Sequence, residues 1–356
     1  MTSLDEFLDG EDLDGHLVST ERKLERQKTE LSVAAAKVKA ITAELEAADA
    51  RLDMYEAAAA GKVPPKWLTP ARAKKKHATV CVMLSDCHWD EVINPAEVGG
   101  VNDYNRTIAE QRLNRFVSKT IELSTSYIRG VEVDGLCLLL GGDMVSGDIH
   151  EELKESNEGS SLETVVHWSA QLAGAIATLH DHFGKVHVAS VVGNHGRRTR
   201  KPRSKGRVHD NFDWLLVHSA STLLGDRKGL TWQVPESADT IVTVYDTRHL
   251  LTHGDKVTGG GGIGGIWPPI KRMQARMQSN PVTEHDILVM GHWHQLVLAT
   301  TAGLIVNGST KGYDEYAATN AFAYEDPRQA WWLVTPEHGV TMSAPILVMD
   351  RKAEGW

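Results

Sequence analysis

The chain has 356 residues, 41% hydrophobic and 24% charged, with a formal net charge of -9 at pH 7. That length holds one large domain or two smaller ones around a sizeable core, and the acidic balance excludes nonspecific coating of nucleic acid or anionic membrane by the whole surface. No run approaches the roughly 18 consecutive apolar residues needed to span a bilayer, and Met1-Thr2-Ser3-Leu4-Asp5-Glu6 is acidic where a secretory signal is basic, so no membrane association and a cytoplasmic location are expected.

Residues 1–61 read as a helical segment. Leu17, Leu24, Leu31, Val38, Leu45 and Leu52 recur every seven residues, with a weaker row at Thr20, Gln27, Ala34, Ile41, Ala48 and Tyr55. A heptad of this kind predicts one helix of about 40 residues and a homo-oligomeric coiled coil through residues 17–55. The plainer alternative is a long helix lying on the rest of the chain or on another partner. Residues 62–79 carry Lys62, Lys66, Arg72, Lys74, Lys75 and Lys76 among Pro64, Pro65 and Pro70, which predicts a basic linker.

Residues 80–356 read as one catalytic domain of α/β class. Val80 to Leu84, Leu136 to Leu140, Val186 to Val192 and Ile287 to Met290 predict buried strands, and residues 104–129, 161–182 and 209–224 predict helices. The glycine run from Gly259 to Gly265 predicts a loop after His253, without the Lys-Ser/Thr of a nucleotide-binding loop. Cys81, Cys87 and Cys137 show no paired ligand spacing, and packing is the expected role of Cys81 and Cys137.

Five polar clusters stand where apolar runs end: Asp86-Cys87-His88, Gly141-Gly142-Asp143, Gly193-Asn194-His195, His253-Gly254-Asp255 and Gly291-His292-Trp293-His294. In an α/β sheet, ligands gather beyond the carboxyl ends of strands, so these segments are expected to converge. Mixed carboxylate, amide and imidazole donors suit two divalent ions of a hydrolytic centre, with Mn2+ favoured and Fe or Zn2+ as alternatives. Asp143 suits a bridging position because glycines precede it. Asp86 with His88, and His292 with His294, stand two apart, which on extended backbone turns both side chains of a pair to the same side.

The clusters, taken in this order, resemble the calcineurin-like metallophosphoesterase superfamily, whose pattern runs Asp-x-His, Gly-Asp, Gly-Asn-His, His, Gly-His-x-His. The resemblance spans roughly residues 80 to 310. It implies two facing mixed β-sheets flanked by helices, a four-layer sandwich. It also implies that Asp86, His88 and His294 hold one metal, that Asp143 bridges, and that Asn194, His253 and His292 hold the second. His195 would contact the scissile phosphate and act as general acid, while a metal-activated hydroxide attacks. Two departures stand out: Gly196 follows Gly-Asn-His where many members have Asp or Glu, and Ser146 stands where the protein phosphatases have the Asp that orients the catalytic histidine. The orienter of His195 is therefore left between Asp148 and a backbone carbonyl.

Substrate class is read from local charge. Seven basic residues and no acid lie between Arg197 and Arg207, and an extended cationic surface suits a polymer carrying one charge per phosphate link. The expectation is a phosphodiesterase or nuclease acting on DNA or RNA, with Arg197, Arg198, Arg200 and His150 as substrate contacts. Within the superfamily this resembles the double-strand-break-repair nucleases. The alternatives are a phosphoesterase for a small cyclic nucleotide or monoester, and a coiled-coil scaffold whose phosphoesterase domain only binds. Lys311 and Tyr313, in the turn-rich stretch Asn307 to Asp314, are further candidates to line a substrate groove, against a plain connecting loop.

Overall fold

A computed structural model describes residues 10–59, 76–234, 236–259 and 265–356. The chain divides into two compact units, Met1–Lys62 and Val63–Trp356. Most of the expected linker, and residues 260–264 of the glycine-rich run, lie outside the described residues.

Among its described residues the first unit holds a single helix, α1 (Gly10–Ala59), of 50 residues. It begins earlier than the heptad suggests. Ala, Glu, Lys and Leu dominate it, all good helix formers, and no proline interrupts it. Among the described residues no helix is long and apolar enough to cross a membrane.

The second unit is built on two mixed sheets. Strands β1 (His77–Leu84), β2 (Glu132–Leu140), β3 (Val186–Ser190) and β4 (Leu230–Gln233) run parallel in one sheet; β10 (Arg328–Thr335) and β11 (Gly339–Leu347) extend it antiparallel on the β1 side. The other sheet orders β5 (Asp239–Val244), β6 (Thr247–Thr252), β7 (Ile287–Met290), β9 (Leu304–Val306) and β8 (Val297–Ala299), with β6, β7 and β9 parallel. Strand β1 starts three residues before the apolar run, inside the stretch expected as linker. The pleat explains how continuous apolar strands serve two cores. Val80, Val82 and Leu84 face one way, with Leu136, Leu138 and Leu140, into a core shared with helices α2 (Arg106–Ser126), α4 (Ser161–Phe183) and α5 (Phe212–Leu224). Cys81, Met83, Cys137 and Leu139 face the other way and meet Leu251, Val289, Ile305 and Trp332 between the sheets. Leu250, Leu288 and Met290 pack outward with Ile270 and Met273 of α6 (Trp267–Gln278). The layers are therefore helix, sheet, sheet, helix, as the resemblance implied. All three cysteines are free and buried.

Helix boundaries follow local chemistry. Ser160 and Glu163 form a reciprocal capping box at the start of α4, and Gly184 closes it in a left-handed conformation. Asn211 caps α5 by accepting from the Asp213 amide, which places Asp213 in its first turn. The short α3 (Glu151–Ser156) starts after His150, but the His150 side chain makes no capping bond.

Candidate metal centre

Every clustered donor lies just past the carboxyl end of a parallel strand: Asp86 and His88 after β1, Asp143 after β2, Asn194 and His195 after β3, His253 after β6, His292 and His294 after β7. The chain extends the β1–β2 pairing beyond the strands proper: Asp86 N donates to Gly142 O at 3.0 Å and His88 N to Asp143 O at 3.1 Å. The first two clusters are thereby locked side by side.

The local backbone differs from the sequence expectation. Asp86, His88, His292 and His294 are not extended; their φ angles are 52°, 47°, 72° and 51°, and that of Asp143 is 49°. Same-side projection within each pair thus comes from left-handed residues rather than from a pleat. Such conformations cost a non-glycine residue roughly 1–3 kcal/mol and persist where the surroundings dictate them. Two glycines make the close approach possible. A Cβ on Gly193 would lie 2.0 Å from Asp143 Oδ1, and one on Gly291 would lie 2.3 Å from Asp86 Oδ2.

Donor atoms gather in three overlapping groups within 4.8 Å: Asp86, His88 and His294; Asp143, His253 and His292; and His88, Asp143 and His195. The first two are the sets that the resemblance assigned to separate ions, and Asp143 joins the second group to the third. Asn194 belongs with the second, since its Oδ1 lies 3.1 Å from His253 Nε2, which is also 2.9 Å from Asp143 Oδ2. His88 Nε2 and His294 Nε2 face each other at 3.2 Å. Two lone-pair nitrogens aimed at one point, beside a carboxylate 3.5 Å from His294, fit a cation.

Electrostatics agree. Burial raises the Asp143 carboxyl, yet the surrounding imidazoles, His253 foremost, hold it well below the usual carboxylate range. Asp86 behaves alike, with burial outweighed by His294. Burial drives His88 down to about 3 and His292 to about 4, keeping both neutral and available as ligands. For His253, burial is outweighed by Asp143, which raises it to about 10; the imidazolium there balances charge that a metal ion would otherwise balance.

His195 acquires its orienter from the main chain. Its Nδ1 lies 2.9 Å from the Ser146 carbonyl, to which it donates, and its amide donates to Asp143 Oδ1 at 2.7 Å. The backbone carbonyl is therefore the orienter and Asp148, which is exposed, is not. The Nε2 edge is left for a ligand.

Several supporting residues escaped the sequence reading. Asp213 is fully enclosed and accepts four backbone amides, Asp143 N and Gly193 N at Oδ2 (2.9 and 2.8 Å) and Met144 N and Val145 N at Oδ1 (3.1 and 3.3 Å). Burial and then the Asp143 charge push its carboxyl up to about 6, against the pull of the amides. Its presence also explains Gly196, where a Cβ would stand 3.1 Å from Asp213 Cγ and 2.3 Å from Asn211 Oδ1. No acid fits at position 196 because one already arrives from α5. Glu91 approaches His88 Nδ1 at 3.3 Å and pairs with Lys311 at 2.8 Å. Lys311 is only 3% exposed and also bonds Asp314, so it braces the centre from below and does not line a groove. The loop before it does the same: Asn307 Nδ2 donates to Ser85 Oγ, and Ser309 Oγ to the Asp86 carbonyl, both at 2.8 Å.

The basic loop is more neutral than its sequence. Arg197 folds back on the carbonyls of Asn194, Thr199 and Arg200. Arg198 pairs with Asp210, Arg200 with Glu151 and Arg207 with Asp255. Lys201, Arg203 and Lys205 are exposed and make no ion pair among the described residues. Arg203 and Lys205 line a small groove with Asn194 and Asp255. His150 is exposed at the rim, its ring 5.7 Å from that of His195.

No protein-family model and no curated relative matches the sequence. Solved structures with similar folds include the vacuolar protein sorting 29 protein of Cryptosporidium parvum, at 12% identity and a TM-score of 0.32 over 75% of this chain and 97% of that one. A Streptococcus pneumoniae protein described as a predicted phosphoesterase matches at 14% and 0.29, over 77% and 98%. A dimetal phosphatase of Danio rerio matches at 10% and 0.32, over 76% and 99%.

Proposed function

We propose that the chain is a metal-dependent phosphoesterase of the calcineurin-like type, on the strength of one observation: two donor sets converge at the strand ends and are linked by a third, which shares His88 with one and Asp143 with the other. Asp86, His88 and His294 would hold one ion, Asn194, His253 and His292 the other, and Asp143 both. Two divalent ions there would polarise a phosphoryl oxygen and supply a nucleophile at neutral pH; Mn2+ is the proposed activating metal, since no thiolate biases the set. The protein's own part is to hold these donors rigid and to present His195. With Nδ1 committed to the Ser146 carbonyl, the imidazole offers its Nε2 edge to the phosphate and, when protonated, delivers a proton to the leaving oxygen.

The favoured substrate is a nucleic-acid phosphodiester, supported by Lys201, Arg203 and Lys205 beside Asn194. A small phosphate ester is the second reading, favoured by the internal pairing of Arg198, Arg200 and Arg207. Mn2+-dependent hydrolysis of single- and double-stranded DNA and RNA, measured beside a nitrophenyl diester and monoester, separates them. Cleavage of the small esters alone sinks the nuclease reading, and no turnover on any ester by metal-loaded protein leaves a binding-only scaffold.

A further inference from the structure

The helix α1 carries a seam of exposed apolar side chains. Leu17, Leu24, Leu31, Val38, Ile41 and Leu45 are 51–74% exposed, on a helix about 75 Å long at 1.5 Å per residue. Such a helix gains its stability from packing rather than from propensity. The sequence beside the seam indicates what packs on it. We propose that α1 pairs with α1 of a second copy of this chain as an antiparallel two-stranded coiled coil, with Leu31 of each helix facing Ala34 of the other.

Two independent features select this arrangement. The first is volume. In the antiparallel register every residue of the strong row meets one of the weak row: Leu17 faces Ala48, Leu24 faces Ile41, Leu31 faces Ala34, Val38 faces Gln27 and Leu45 faces Thr20. Large residues thus oppose small or polar ones in every layer but that of Leu24 and Ile41, which is fully apolar. A parallel pair instead stacks leucine on leucine in alternate layers and leaves thin Ala34 and Ala48 layers and a buried Gln27 pair between them.

The second feature is charge. The residues flanking the strong row alternate in sign: Lys23, Glu30, Lys37, Glu44. In the antiparallel register this row meets itself, so Lys37 faces Glu30 and Lys23 faces Glu44, in both symmetry copies. A slip of one heptad in either direction sets lysine against lysine and glutamate against glutamate. In a parallel pair the same row meets the row of Glu21, Lys28, Ala35, Thr42 and Asp49. Within residues 17–49 that brings Lys23 to Lys28 and Glu44 to Asp49 with no opposite-charge pair in return. The alternation therefore fixes both direction and register.

Light scattering on the full 356-residue chain is expected to give twice the 39.1 kDa of one chain; a monomer at tens of micromolar overturns the proposal. Direction is read by oxidative cross-linking against a wild-type control, the native cysteines being buried. Leu24→Cys and Ile41→Cys are each expected to resist cross-linking alone, because the two copies of position 24 lie about 25 Å apart along the axis, and to form a disulfide heterodimer when mixed. Cross-linking of either variant alone overturns the antiparallel arrangement. Charge is tested separately. Glu30→Lys/Glu44→Lys and Lys23→Glu/Lys37→Glu chains are each expected to dissociate at least tenfold more readily at low salt, and to recover as a mixed dimer. Failure of the mixture to recover overturns the charge argument.

Discussion

Asp143 meets two demands at once. In the proposed centre its carboxylate would bridge, and its main chain holds a left-handed conformation, with φ of 49°. Replacing it with Ala removes the one carboxylate common to two of the donor clusters among the described residues, so Asp143→Ala is expected to lose two-ion stoichiometry in native mass spectrometry. His195→Ala is expected to keep both ions and lose about 10²–10⁴-fold in turnover. Asp213 is the residue-scale counterpart behind the site. Asp213→Asn keeps the shape but turns an amide group toward four N–H donors; metal affinity is expected to fall about 10–100-fold, measured by Mn2+ titration calorimetry, with the fold retained by circular dichroism. Donors and supports differed in legibility for a physical reason. Candidate metal ligands declare themselves by residue type at strand ends, whereas Asp213 is 70 residues from the Asp143 amide it holds, and a carboxylate in a first helical turn looks like any favourable dipole partner.

At the scale of elements, the candidate site lies in the turns after strands, where side chains and backbones nearly touch. Gly193→Ala forces its methyl into Asp143 Oδ1 and the Asp143 amide. It is expected to destabilise the protein by roughly 1–3 kcal/mol and to weaken metal binding together with melting temperature, both read by thermal scans with and without Mn2+. Strand β7 was legible to the residue from its apolar run, and the helices α2, α4 and α5 within a few residues. The left-handed turns were not, because Asp-x-His looks the same in an extended segment as with both end residues left-handed. The basic loop misled in the opposite direction. Its seven cations were plain in sequence, but the acids that neutralise three of them, Glu151, Asp210 and Asp255, come from outside the run.

For the whole molecule, the four-layer order was legible only through the family resemblance, and strands apolar on both faces, which need cover on each side, agree with it. Between the sheets sits a titratable group remote from the metal donors. His249 is buried, accepts from Trp332 Nε1 at 3.2 Å and donates from Nδ1 to the Thr247 carbonyl, so it is neutral. Burial lowers it from 6.5 to about 4. The unfolded chain therefore takes up this proton first as pH falls, and stability is full above 6.5 and drains between 6.5 and 4, by on the order of 3 kcal/mol. His249→Gln is expected to flatten that part of the melting profile between pH 7.5 and pH 4.5; an unchanged slope rejects the assignment.

The two sheets end at a common rim, and each donor set draws on both: Asp86 and His88 with His294, and Asp143 with His253 and His292. Any ion held there rivets one half of the sandwich to the other. Chelation would then unfasten a mechanical seam as well as silence the chemistry, and amide exchange at the ends of β6 and β7 should quicken when the ions are stripped away.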